Sequence, residues 1–265
     1  MAGGKVLEQS LLRDGDRLSL AVRDGGGKGD VHLQLSCATG AADWIYIDLP
    51  AENASQVAGV RRYAGGTSAY SPPLALSPRT GEAIGRLPEA RRACERVPAW
   101  REVVYNKRND AQILLDISSL EEQSDGSLRF WAAIDYPYLA YIRLFKAPYA
   151  RRAGFYHVNC LRQSYSLLAV YYLDQQQTVT DGGLARQPPV IGFEQVSGDF
   201  SALLAVACGK RELLKTLVPP EVRDKQFPNF AALSDPDPGV VRQVAGLGLA
   251  PARQPLGYLR VEGVK

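Results

Sequence analysis

The sequence predicts an α+β protein built as two tandem modules. Each is an antiparallel β-sheet with a C-terminal helix packed on one face and a disulfide joining strand to helix. Three observations carry this: one order of features occurs twice along the chain, the four cysteines fall at matching places in the two copies, and the segments between them alternate apolar and polar residues with the period of two that marks strands.

The elements pair off in order. SLEEQSDGSLRFWAAIDYP, residues 119–137, resembles QSLLRDGDRLSLAVRDGGG, residues 9–27. Both place a DG turn before a short alternating strand, Leu128, Phe130 and Ala132 in one and Leu18, Leu20 and Val22 in the other. The strands reach Asp135 and Asp24. GFYHVNC, ending at Cys160, then matches DVHLQLSC, ending at Cys37, and each carries a histidine. An aromatic, β-branched strand follows each cysteine, YSLLAVYYLD or DWIYIDL. Each half closes with a helical segment on a second cysteine, FSALLAVAC to Cys208 and GEAIGRLPEARRAC to Cys94.

The domain reading is residues 1–94 for a first, divergent module, Glu95–Ala99 for a linker in which Pro98 ends any helix that carries Cys94, 100–218 for a second module, and 219–265 for a Pro-rich C-terminal tail, with a short helix near Val240–Ala245. Each module is expected to be its own compact unit. The second opens with WREVVYNKRNDAQILLDISSL, in which Val103–Tyr105 and Gln112–Asp116 are strands around a turn. The first has no counterpart, which would leave a bare sheet edge. N-terminal truncation, strands donated by another chain, and genuine loss compete as explanations; truncation also accounts for a start, MAGGKVLEQS, without signal-peptide character.

Four cysteines permit three pairings, and the repeat selects Cys37 with Cys94 and Cys160 with Cys208. Closing loops of this size stabilises by roughly 3–4.5 kcal/mol, in a compartment where thiols oxidise. In Asp199–Cys208, the residues Leu203, Leu204, Ala207 and Cys208 share a helix face, capped by Ser197 or Asp199 and continued by Lys210–Leu217. Ile134, Val158, Leu168 and Val170 form the facing layer of the sheet.

Composition removes several function classes. Among 265 residues, 31 Lys and Arg against 28 Asp and Glu give a net charge of +3, too balanced for a nucleic-acid protein. No apolar run approaches the ~20 residues of a spanning helix. No CxxC pair exists, and a zinc site from His157 and Cys160 has weak support against plain strand alternation. With His32 and His157 as the two histidines, both on strands beside cysteines, a hydrolytic triad lacks its parts. Gly25–Gly27 lacks the order of a phosphate loop and reads as a flexible hairpin turn. Glu121–Glu122 and Asp235–Asp237 sit in polar loops. No enzyme and no cofactor is expected.

The run PYARRAGFYHVNCLRQSYSLLAVYYLD, residues 148–174, followed by a GGL loop at Gly182–Leu184 and then SALLAVAC, resembles the surface-adhesin protein E family. The likeness covers roughly residues 100–215. It rests on Tyr149, Ala150, Arg151, Tyr156, Asn159, Cys160, Gly183, Ala207 and Cys208. The first copy departs from it, with Ser36-Cys37 for Asn-Cys, no YAR element and no opening hairpin. The resemblance implies a small α+β fold with a strand–helix disulfide in a secreted or lipid-anchored protein of Gram-negative bacteria. It places the protein in the periplasm, outer membrane or cell surface, with any lipid anchor outside this sequence. It also implies adhesion to host extracellular matrix through the residues matching Lys146, Tyr149, Arg151, Arg152, Tyr156 and Arg162.

The residues themselves suit that task if Pro148 makes a turn. Arginine pairs bidentately with carboxylate or sulfate, and Tyr138, Tyr141, Phe145 and Tyr149 add rigid area. The plainer reading is a solvated hairpin loop whose tyrosines cover the sheet edge. The leading expectation is an extracytoplasmic binding module for a protein or acidic glycan, with binding that falls when Arg151 and Arg152 become Glu. The runner-up is a structural or assembly component of the cell envelope that meets a bacterial partner or forms a homo-oligomer. A cytosolic scaffold with reduced thiols ranks third.

Overall fold

The structure, a computed structural model, describes residues 4–23, 29–49, 60–66, 69–107, 110–142, 146–196, 198–209, 214 and 217–220. The expected turn at Gly25–Gly27, Phe145, Ser197, Asp235–Asp237, most of Lys210–Leu217 and everything beyond Pro220 lie outside these residues.

The described residues form two antiparallel sheets and three helices, so the protein is mostly β and compatible with the α+β expectation. The first half contains β1 (Lys5–Val6), β2 (Leu12–Asp14), β3 (Arg17–Arg23), β4 (Asp30–Ser36), β5 (Ala42–Leu49), β6 (Val60–Tyr63), β7 (Leu74–Ala75), α1 (Pro78–Gly85) and α2 (Pro88–Glu95). Its sheet runs β1-β3-β4-β5-β6, with β2 also on β3 and β7 also on β5. The second half contains β8 (Trp100–Asn106), β9 (Ala111–Asp116), β10 (Glu121–Glu122), β11 (Leu128–Ile142), β12 (Ala147–Asn159), β13 (Ser164–Leu173), β14 (Val179–Leu184), β15 (Ile191–Gly192) and α3 (Asp199–Ala207). Its sheet runs β14-β13-β12-β11-β9-β8, with β10 on β11 and β15 on β13.

The two halves repeat small irregularities as well as strand order. Before β3, a 3-10 turn ends at Ser10, whose hydroxyl donates to Leu7 O at 2.5 Å and accepts from Ala21 N at 2.7 Å. Before β11, a 3-10 turn ends at Ser119, whose hydroxyl donates to Asp116 O at 2.7 Å and accepts from Trp131 N at 2.8 Å. The β4/β5 register slips between His32 and Leu33, and the β12/β13 register slips between Phe155 and Tyr156, each five residues before the cysteine that follows its strand. The β3 edge is not bare. β1, β2 and the Ser10 turn lie along it, where β9, β10 and the Ser119 turn lie along β11.

Four layers result: α1 with α2, first sheet, second sheet, α3. Leu18, Leu20, Leu33 and Leu35 pack under Ile84 and Ala90 of the helices. Phe130, Tyr156, Tyr165 and Val170 pack under Phe200, Leu203 and Leu204 of α3. The middle layer belongs to both halves, with Leu12, Ala21, Ile45 and Tyr46 against Trp131, Ala153, Tyr171 and Val179. A strand covered on both faces is buried without a break, as all six residues of β9 are, the polar Gln112 and Asp116 included.

Several expectations need correction. The halves are not self-contained units, because the face opposite the helices on each sheet is also apolar and is buried against the other sheet. Glu95–Ala99 is not a passive linker: Asp116 accepts from Arg96 Nη1 at 3.0 Å and from Ala99 N at 2.8 Å. Pro88 splits the expected helix ending at Cys94 into α1 and α2, each with proline in its first turn, where a missing N–H costs nothing. Gly198, not Ser197 or Asp199, stands at the N-cap of α3, and Asp199 opens the helix. Leu168 leaves the α3 layer because the register slip in β13 falls there, while Ile134, Val158 and Val170 stay in it. Gly182–Leu184 is strand, not loop.

Candidate functional site

Cys37, just past β4, is bonded to Cys94 of α2, and Cys160, just past β12, to Cys208 at the end of α3. Both bonds have ordinary Cα separations, 5.4 and 5.6 Å. Two such bonds mark a protein of an oxidising, non-cytoplasmic compartment. Among the described residues, no helix is long and apolar enough to cross a membrane.

The six residues expected to form a ligand patch are not brought together at the surface. Pro148 makes no turn; it pairs with Tyr141 inside the β11/β12 ladder. Alternation along β12 therefore sends Arg151 and Arg152 to opposite faces. Arg151 turns into the seam between the sheets. It donates through Nε and Nη2 to Asp135 at 2.5 and 2.6 Å and through Nη1 to Asp14 at 2.6 Å. Arg152 turns under α3 and is 1% exposed. Tyr149 and Tyr156 are core residues, Tyr149 against Tyr172 at 4.9 Å and Tyr156 against Phe200 at 5.1 Å. Lys146 and Arg162 are exposed but sit beyond opposite ends of the 13-residue β12, roughly 40 Å of strand apart. Replacing Arg151 and Arg152 by Glu would test folding, not recognition.

The histidines sit in structural settings. His157 Nε2 lies 2.7 Å from Ser127 Oγ, and Ser127 donates its proton to Asp125 at 2.5 Å, closing the DG turn. A nucleophilic triad needs histidine between serine and acid, so this order is the wrong one. His32 is buried in the seam, stacked on Tyr46 at 4.3 Å, with Nε2 3.2 Å from Asp48. Among the described residues, no group of three or more His, Cys, Asp or Glu side chains is placed to hold a metal ion.

The seam holds a network joining the halves. Arg61 of β6 donates through Nε and Nη2 to the two oxygens of Asp48 at 2.8 and 3.2 Å, and it also contacts Asp181 and the Gly182 carbonyl of β14. Burial by itself would raise the Asp48 carboxyl, but the Arg61 guanidinium and His32 outweigh it and hold the group down at about 2. Arg61 and Arg151 thus make reciprocal ties, one from each half to an aspartate of the other.

Residues of both halves line an open cleft of about 620 Å³. Its floor is the half-buried Phe155 of β12 and Leu168 of β13, over the buried Trp131 of β11 that lies 5.2 Å from Phe155. α2 and the Ser10 turn form the opposite wall. Arg92, Arg129 and Arg186 reach it, all three exposed and with no ion-pair partner among the described residues. Glu8, Glu89 and Glu121 stand among them. The lining is strongly charged, with four arginines and three glutamates among sixteen residues, around the apolar Phe155 and Leu168 surfaces. The sequence signal for it was the alternation that puts Arg129 and Trp131 on one face.

No family model, curated protein or solved structure matches this chain.

Proposed function

We propose that the protein is an extracytoplasmic binding protein of the surface-adhesin type, made of two copies of one module stacked sheet to sheet. Its ligand is an acidic macromolecule, a matrix protein or a sulfated glycan, held in the seam cleft. The observation that carries this reading is the concentration of three unpaired arginines around an aromatic floor in the 620 Å³ opening. Guanidinium groups take carboxylate or sulfate bidentately, and the Phe155 and Leu168 surfaces offer apolar contact to the ligand backbone. The two-module reading is supported by the matched serine-ended turns, register slips and cysteines.

The test is binding to heparin fragments and to matrix proteins, measured by surface resonance across a salt series. The expected result is salt-sensitive affinity that drops about tenfold or more in an Arg129→Glu/Arg186→Glu double variant. A Lys146→Glu/Arg162→Glu control should leave it unchanged. Equal loss in both variants would remove the cleft from the reading. Affinity for neither ligand class, together with a stable co-purifying envelope protein, would favour the assembly role instead.

A further inference from the structure

Three arginines of this protein use the same edge of the guanidinium in the same way. Nε and Nη2 of Arg23 hold Asp30 at 2.9 and 3.2 Å, those of Arg61 hold Asp48 at 2.8 and 3.2 Å, and those of Arg151 hold Asp135 at 2.5 and 2.6 Å. Arg152 is the exception. It is as buried as Arg61, yet its Nε and Nη2 have no hydrogen-bond partner among the described residues. Its electrostatic neighbours are the side chains of Tyr156, Tyr172 and Tyr136.

A guanidinium does not shed its proton, and an uncompensated buried charge is strongly destabilising. Neighbouring tyrosines do not supply the missing negative charge. Burial pushes the hydroxyls of Tyr136 and Tyr149 well above their ordinary range, so both stay neutral. Beside the guanidinium runs a crevice walled by Ile113, Ala132, Ala133 and Tyr156 and closed by Leu203 of α3. Its walls are apolar, and it is narrower than a water molecule as it stands.

We propose that Arg152 anchors a buried site for a small monocarboxylate. The two carboxylate oxygens take the Nε–Nη2 edge, as aspartate does on the other three arginines, and the short aliphatic remainder lies against Ala132 and Ile113. Because the crevice is closed by Leu203, α3 shifts outward to admit the acid, and a short stem is preferred to a long one. Carboxylate, planar and two-pronged, fits this edge better than a spherical halide.

The experiment uses the oxidised, full-length protein. Thermal unfolding is followed at fixed ionic strength and neutral pH while chloride is exchanged for formate, acetate or propionate, and isotope-edited NMR follows labelled acetate directly. The expected result is a rise of several degrees in Tm with acetate or propionate, and broadening of the labelled carboxylate signal. Arg152→Met should lose both responses while starting from an equal or higher Tm in chloride. If that variant does not fold, unlabelled propionate must displace labelled acetate from the wild type. No anion preference in the wild type, an unchanged response in Arg152→Met, or no displacement would overturn the site.

Discussion

Arg61 illustrates how one residue sets the relation between the halves. Its guanidinium is shared by Asp48 of its own sheet and Asp181 of the other, and it lies over the Tyr46 ring at 4.2 Å. Removing it leaves two carboxylates without their cation. Arg61→Met should therefore cost about 3–5 kcal/mol in denaturant unfolding, far more than an exposed arginine such as Arg86, whose loss should cost under about 1 kcal/mol. The same site gives a pH dependence with a definite sign. The folded-state pKa of Asp48, about 2, is below its unfolded value. Its contribution is therefore complete at neutral pH and fades as pH falls from about 4 through about 2, by roughly 2 kcal/mol in all. Asp48→Asn should flatten that limb of the stability–pH curve; an unchanged acid limb would show that Asp48 is not held down. Nothing in the RRY stretch around Arg61 distinguishes it from a surface loop, because its partners lie in strands remote along the chain.

At the scale of elements, the strands that alternate were legible and those that depend on contact were not. Leu18, Leu20 and Val22, or Phe130 and Ala132, announce their faces by period two. The paired cysteines were legible because the repeat aligns them. β7 and β15, two residues each, carry no pattern of their own and exist because the start of β5 or β13 offers an open edge. Gly182 was read as loop because the protein E family shows a glycine-rich loop there, yet here the strand requires it. With φ at +155°, an added Cβ would stand 2.4 Å from the Val170 carbonyl oxygen. Gly182→Ala should therefore destabilise by about 2 kcal/mol or more, where Gly126→Ala, with open space around it, should cost only its backbone strain of about 1 kcal/mol. Equal losses at the two positions would mean the β13–β14 approach is looser than described. Each disulfide closes a loop of 57 or 48 residues, so Cys37→Ser/Cys94→Ser and Cys160→Ser/Cys208→Ser should each lower stability by about 4 kcal/mol in the chain-entropy model.

At the scale of the whole molecule, the hidden quantity was the second face of each sheet. Sequence alternation identified one apolar layer per half and matched it to that half's helix. It gave no reason to expect that Ala21, Ile45, Tyr46, Trp131, Ala153 and Tyr171 would also be buried, because small and aromatic residues on the far face are equally compatible with solvent. Their pairing across the seam changes the energetics. A solitary second half would expose Trp131, Tyr171, Leu173 and Val179 as one patch and leave Arg151 without Asp14 and Asp181 without Arg61. The intact protein should then unfold as one unit, with calorimetric and van't Hoff enthalpies equal, even though its sheets are built from consecutive halves of the chain. A fragment of residues 100–220, disulfide intact, should bind a hydrophobic dye strongly and lose it when the fragment 1–99 is added back. Two separated transitions in the intact chain, or a dye-silent fragment with native-like near-UV dichroism, would mean that the seam is a contact between finished domains. In that case the cleft would be free to open and close with their relative motion.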